Sequence, residues 1–156
     1  MSQMITRRKR AQAIVELAMI GAVLLVIELF CLDVCILAIG SGLNERACRD
    51  AARMAAQSPN YAGSLTLAQT AVKAYQGDGY FVTTPTVDTT TFVYNDYSGN
   101  PPTNTSPYVQ VTTACTVLIP APIFVYGLNF GNGSTMTFTK TYTFPIVTTT
   151  YYAPSS

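Results

Sequence analysis

Few side chains in this chain could do acid–base, nucleophilic or metal chemistry, and histidine is absent altogether. Without histidine, a Ser-His-Asp triad, a Cys-His pair and a histidine-ligated metal site are all excluded. The sequence has no glycine-rich phosphate-binding motif, and its cysteines do not have zinc-ligand spacing. We therefore expect a protein that is not an enzyme and that holds neither a metal nor another cofactor.

The carboxylates that could have a function fall into two groups. Asp78, Asp88 and Asp96 stand beside glycine, threonine or asparagine, where a carboxylate typically stabilises a turn rather than binding calcium. The second group lies in a long apolar stretch near the N-terminus: Glu16, Glu28 and Asp33. A charge at the centre of a membrane helix costs about 2.5–3.5 kcal/mol, so acids in such a stretch indicate a function.

The four cysteines fall into two groups by their position in the sequence. Cys31 and Cys35 lie four residues apart in the apolar stretch, a spacing poorly aimed for a disulfide on a helix, and we expect them to be packing residues. Cys48 and Cys115 lie beyond that stretch, on the side where oxidation is possible. Either a Cys48–Cys115 disulfide clamps a helix to a sheet, or the two are separate free thiols.

The apolar stretch itself predicts a membrane-spanning helix. Leu17–Ile39 is 23 residues long, about 35 Å as a helix, and a bilayer core is about 30 Å thick. Four cations precede it: Arg7, Arg8, Lys9 and Arg10. They favour a cytoplasmic N-terminus with the rest of the chain outside. A secretory signal cut after residues 38–40 is the alternative, but the apolar run exceeds the usual signal length.

The segments after the span are also predicted to be helical. Gly40, Ser41 and Gly42 predict a bend, and an amphipathic helix is expected over Leu43–Gln57. One side of that helix carries three arginines: Arg46, Arg49 and Arg53. They could bind an anionic lipid or a partner carboxylate, but a solvated face with local pairing to Glu45 is favoured. A second helix is predicted over Leu65–Gln76, with a serine as its N-cap.

The remaining chain is rich in strand-forming residues. Tyr108–Leu118 and Ser134–Phe144 alternate with period two, which predicts two half-buried strands, and residues 80–84 and 90–94 are weaker candidates. The apolar connection 119–133 either packs back on the sheet or contacts another subunit.

The predicted fold is therefore α+β, with a long N-terminal membrane-spanning helix, a short helix and a small antiparallel sheet. Three segments are expected. Residues 1–11 form a basic leader, residues 12–57 form the spanning and amphipathic helix, and residues 58–156 form an extracytoplasmic β domain.

The residues around Glu16 resemble a known leader. From Arg7 to Ala18 the chain reads RRKRAQAIVELA. This string is similar to the class III leader of the TadE-like minor pseudopilins of Tad (Flp) type IV pilus systems. In that family a basic stretch and a glycine precede Gln-Ala-Leu-Val-Glu-Phe-Ala and an apolar helix. Residues 43–56 resemble the Ala/Arg-rich helix that follows the span, and residues 108–111, 119–123 and the last strand resemble the C-terminal half more loosely.

The resemblance assigns roles to three residues. A prepilin peptidase cuts after the family's glycine, which places the cut here between Ala11 and Gln12 and makes Glu16 the fifth mature residue. Ala11 replaces the family's glycine and Leu17 its phenylalanine. Glu16 of one subunit would then neutralise the N-terminal amine of its neighbour, because an apolar environment strongly favours paired charges.

Glu28 and Asp33 have no family role to carry over. They lie about 140° apart around a helix, and we expect each to contact neighbouring subunits.

The resemblance implies a structural minor pseudopilin that assembles into, or primes, an extracellular Tad-type pilus and serves adhesion. Its partners would be other pilin subunits and the prepilin peptidase, and it would be stored in the inner membrane. The alternative is a permanently anchored single-pass membrane protein with an outward-facing binding or adhesion module. A nucleic-acid partner is not expected, because the net charge is only +1.

Overall fold

The computed structural model describes residues 2–99, 101–120 and 135–146, with side chains described from Gln12 onward. The chain is α+β, as predicted. Its helices are α1 (Ser2–Ala55) and α2 (Tyr61–Lys73), and its strands are β1 (Thr86–Val87), β2 (Val93–Asn95), β3 (Tyr108–Leu118) and β4 (Thr135–Pro145). Most of the apolar connection predicted over 119–133 lies outside the described residues, so both alternatives for it stay open.

α1 is one uninterrupted helix, so the bend predicted at residues 40–42 is wrong. Gly40 lies against the sheet, where an added Cβ would stand 2.3 Å from Cγ2 of Val117. An added Cβ at Gly42 would meet no described atom within 4 Å. Gly40 therefore permits close packing of the helix rather than a turn, and the predicted helix over Leu43–Gln57 is the second half of α1.

β3 is the centre of the sheet and pairs antiparallel with the other three strands. β4 pairs with β3 along its whole length, and β1 and β2 share the opposite edge. The two long strands agree with the predictions to within one residue. The weaker prediction over 80–84 is only a single bridge between Val82 and Val117, and that over 90–94 corresponds to β2.

The second half of α1 lies along the junction of β3 and β4. Asn44 contacts the carbonyl of Thr113, and Cys48, one turn further on, contacts the carbonyl of Val111, so α1 runs antiparallel to β3. The helix presents small, buried side chains at helical spacing: Asn44, Ala47, Cys48, Ala51, Ala52 and Ala55. Small side chains let the helix backbone approach closely, and the facing strand residues are mostly valines.

α2 begins four residues earlier than predicted, because its N-cap is Asn60 and not Ser64. Asn60 Oδ1 accepts the N–H of Gly63 at 2.7 Å. Ser64 is buried instead, and its hydroxyl donates to the carbonyl of Ala55. That bond ties the first turn of α2 to the last turn of α1.

The α+β domain has two distinct ends. We call the end where α1 enters it the near end; it holds residues 78–82, the end of β3 and the start of β4. At the near end, the Leu118 N–H donates to the Phe81 carbonyl at 2.7 Å, which joins the end of β3 to residues 78–82. The far end holds the end of α1 and residues 96–99 and 101–107, which are rich in proline, serine and threonine.

Candidate functional site

The longest exposed stretch among the described side chains lies in α1. Every residue from Gln12 to Leu32 is exposed, and Asp33 is the first buried residue among the side chains described from Gln12 onward. We call Gln12–Leu32 the bare half and Asp33–Ala55 the docked half. The bare half is about 31 Å long, the thickness of a bilayer core. α1 is thus long and apolar enough to cross a membrane, as predicted.

The predicted leader site lies within regular helix. α1 runs through the bond between Ala11 and Gln12 without interruption. The Gln12 side-chain amide donates to Oε1 of Glu16 at 3.0 Å, one turn along the helix. Glu16 therefore has a polar partner inside its own chain.

The two other acids of the apolar stretch have different surroundings. Glu28 is exposed on the bare half, so its predicted contact with a neighbouring subunit stays a prediction. Asp33 is only 6% exposed and is enclosed by its own chain at the start of the docked half. Its burial leaves little of the carboxylate accessible to another subunit.

The cysteines are free thiols. Cys48 donates to the Val111 and Lys140 carbonyls, and Cys115 donates to the Thr83 carbonyl. Val111, which Cys48 contacts, lies four residues from Cys115 along β3, about 13 Å of strand, so the two thiols bond to different parts of the sheet. The structure thus has the two separate thiols and not the disulfide. Burial raises the pKa of both thiols, which makes them poor nucleophiles.

A buried polar contact between α1 and the sheet was not predicted from the sequence. The Asn44 amide donates to the carbonyls of Phe138 (2.9 Å) and Thr113 (3.4 Å). Its Oδ1 accepts the Thr113 hydroxyl at 2.8 Å. With the two Cys48 bonds, these contacts join one helix to both long strands at a defined register. The available signal was an asparagine among alanines at helical spacing.

The arginine side of α1 is exposed, so the solvated face favoured from the sequence and the binding of an anionic lipid or a partner carboxylate both stay predictions. Arg46, Arg49 and Arg53 are all exposed. Arg49 pairs with Glu45 at 3.2 Å, the predicted spacing of one turn, and also contacts the hydroxyl of Tyr142. The bond with Tyr142 raises the pKa of Arg49.

Asp78 and Asp88 accept hydrogen bonds within their own turns and so stabilise them, as predicted. Asp78 Oδ1 accepts the N–H groups of Tyr80, Phe81 and Val82, which lowers the pKa of the Asp78 carboxyl. Asp88 accepts hydrogen bonds from the hydroxyl and N–H of Thr90 and from the hydroxyl of Thr91, and these bonds, the Thr90 hydroxyl first, lower the pKa of the Asp88 carboxyl. Among the described residues, no three cysteines or carboxylates lie close enough together to hold a metal ion.

An open groove of about 520 Å³ lies between α1 and α2. Asp50, Arg53 and Tyr75 line it, and the Tyr75 hydroxyl donates to the Asp50 carboxylate, which raises the pKa of Tyr75. The groove brings together no nucleophile and base of the kind a hydrolase uses.

Comparison with protein-family models, curated proteins and solved structures finds no match for the chain. The function is therefore inferred from α1 and from the residues around Glu16.

Proposed function

We propose that this protein is a pilin-like structural subunit of the TadE-like minor pseudopilin kind. It would be stored in the inner membrane with the N-terminus in the cytoplasm and the α+β domain outside. After processing it would enter, or prime, an extracellular Tad-type filament that serves adhesion.

The observation that carries this proposal is the division of α1 into two halves. A helix that is apolar on all sides needs lipid or other helices around it. The bare half meets this description, while the docked half holds a folded domain against one face of the same helix. A subunit of this shape can exchange lipid for neighbouring helices without unfolding its domain.

The leader residues support the same proposal. The four cations retain the precursor across the membrane, and a cut between Ala11 and Gln12 would remove all of them and create a positive amine. In the uncut chain Glu16 accepts a hydrogen bond from Gln12 of the same chain. In a filament Glu16 would instead pair with the amine of a neighbour and set the axial register of the two helices.

The first test is the N-terminal sequence and intact mass of the protein, expressed with and without its prepilin peptidase. We expect a peptidase-dependent start at Gln12. An Ala11→Gly variant, which restores the family's residue, should be cut at the same bond and at least as completely. A Glu16→Gln variant should still be cut but should not enter filaments.

Other starts would overturn the proposal. A chain that begins at Met1 in the presence of the peptidase, and whose Ala11→Gly variant is also uncut, is a permanently anchored protein. A chain that begins near Ser41 would mean that the helix is a secretory signal.

The permanently anchored adhesion module is the second candidate, and it is favoured by one observation. Ala11 stands where the pseudopilin family has glycine. An anchored module would keep its leader and would tolerate Glu16→Gln without loss of binding.

A further inference from the structure

The apolar surface of α1 continues beyond the point where the domain begins. On the side that faces the sheet, burial starts at Asp33. On the free side, Val34 and Ile39 are still 47% and 64% exposed. The interval from Asp33 to Ile39 corresponds to about 10 Å of helix. Along the axis of α1, the exposed apolar surface and the near end of the domain therefore overlap by about 10 Å.

This overlap fixes where the near end lies if α1 spans a bilayer. An apolar boundary at Ile39 places the contact of Gly40 with Val82 and Val117 level with the outer lipid headgroups, which form a layer about 5–7 Å deep. No linker separates helix and domain, because α1 passes through Gly40 and Gly42 without a break. The near end therefore cannot be held clear of the membrane by a flexible tether.

The side chains at the near end suit that environment. Tyr80 is 72% exposed, and its ring stands edge-on to Phe81 with centroids 4.7 Å apart. The Asp78 carboxylate fixes this turn through the N–H groups of residues 80–82. Met136, at the start of β4, is 41% exposed. Tyrosine favours the headgroup level of a bilayer, because its ring is apolar and its hydroxyl is polar.

We propose that the near end of the domain is a lipid-contacting surface, seated in the headgroup layer of the outer leaflet through Tyr80 and Met136. This inference depends on the proposed membrane anchoring of α1. The far end projects about 22 Å further along the helix and presents residues 101–106 to solvent. Arg46 and Arg53 lie about 10 Å and about 21 Å beyond Ile39 along the helix, so both are beyond the headgroup layer, Arg46 by only a few ångströms.

The test uses the absence of tryptophan from the chain. Single tryptophans are introduced in separate full-length proteins as Tyr80→Trp at the near end, Tyr61→Trp at the far end and Leu24→Trp in the bare half. Each protein is reconstituted at high dilution in phosphatidylcholine vesicles whose acyl chains carry bromine either near the headgroup or near the bilayer centre. Bromine quenches tryptophan fluorescence only at short range, so the loss of intensity reports depth.

We expect the Tyr80→Trp protein to be quenched by the shallow bromine, the Leu24→Trp protein by the deep bromine, and the Tyr61→Trp protein by neither. Met136→Trp provides a second near-end probe and should behave as Tyr80→Trp does. Circular dichroism of each variant in detergent checks that the domain is folded.

The failures are distinguishable. If Leu24→Trp is not quenched by deep bromine, membrane anchoring itself fails and the proposed function fails with it. If Leu24→Trp is quenched but neither near-end probe is, the anchor holds and the lipid-contacting surface is wrong. Equal shallow quenching of Tyr61→Trp and Tyr80→Trp would mean that the domain lies flat on the membrane, which also overturns the inference.

Discussion

The two halves of α1 belong to one helix but have opposite surfaces. The bare half carries leucine, isoleucine, valine and phenylalanine on every side, and all of its residues are exposed. The fully buried positions of the docked half are mostly small residues (glycine, alanine, cysteine and asparagine), and Ile36, Leu37 and Leu43 pack partly buried against the near end. Side-chain size, rather than helix propensity, therefore divides the helix.

One helix can thus have two kinds of neighbour. Large side chains all round suit lipid or other helices, which adapt to them. Small side chains on one face suit a single fixed partner, because they permit close approach. The bonds of Asn44 and Cys48 to the carbonyls of both long strands then allow only one register of helix against sheet.

Thiol labelling offers the largest contrast between the exposed surface of α1 and the packed domain. Cys31 in the bare half and Cys35 near the start of the docked half are exposed, whereas Cys48 and Cys115 are buried with raised pKa values. In detergent we expect maleimide to label Cys48 and Cys115 at least about a thousandfold more slowly than Cys31 and Cys35. The buried thiols become accessible only when the domain unfolds. Mass spectrometry of digested protein measures each site, and equal rates would contradict the packing of the docked half.

A charge in the bare half should have the next largest effect. Leu24→Lys places an ammonium near the middle of the apolar stretch, at a cost of about 2.5–3.5 kcal/mol for insertion. We expect a clear drop in the fraction that stays with membranes after alkaline extraction. The matched control is Met54→Lys on an exposed position of the docked half, which should change membrane retention little. Similar retention of the two variants would mean that the bare half does not lie in lipid.

Removal of the buried amide should weaken the docked half alone. Asn44→Ala leaves the Thr113 hydroxyl without its 2.8 Å acceptor and removes the bond to Phe138. We expect a loss of about 1–3 kcal/mol in the free energy of unfolding, measured by denaturant titration in detergent. Glu45→Ala, one residue away, removes only the partly exposed contacts with Arg49 and Tyr142 and should cost about 0.5 kcal/mol or less. Equal effects would show that the polar contact does not stabilise the interface.

Two glycines two residues apart provide the finest comparison. Gly40→Ala places a methyl group against Val117, and overpacking typically costs about 1–3 kcal/mol. Gly42→Ala has open space and should stabilise the helix by about 0.5–1 kcal/mol. Thermal unfolding of the two variants should therefore shift in opposite directions. A stabilising Gly40→Ala would show that helix and sheet are not in close contact there.

The strands could be predicted because their signal is local. Period-two alternation over Tyr108–Leu118 and Ser134–Phe144 gave both long strands to within one residue. The pair Glu45–Arg49 was predictable for the same reason, since its spacing of one helical turn is written in the sequence. The bond of Arg49 to Tyr142 was not, because it joins residues far apart in the chain.

What could not be predicted depends on tertiary packing. Gly40 and Gly42 look alike in the sequence, and only the sheet beside Gly40 explains why the helix continues past both. Ser64 and Asn60 are both good N-caps, and Asn60 is used because the Ser64 hydroxyl is taken by the Ala55 carbonyl. The Asn44 contact needs the register of β3 against β4, which no local pattern contains.

The unbroken passage of α1 from the bare half into the domain also makes the molecule a lever. The helix has no hinge between Leu32 and Ala55, a length of about 35 Å. Membrane helices tilt by about 20° on average, and such a tilt would swing the far end sideways by about 12 Å. Motion of the helix within the membrane would thus be transmitted directly, and enlarged, at the outermost surface of the protein.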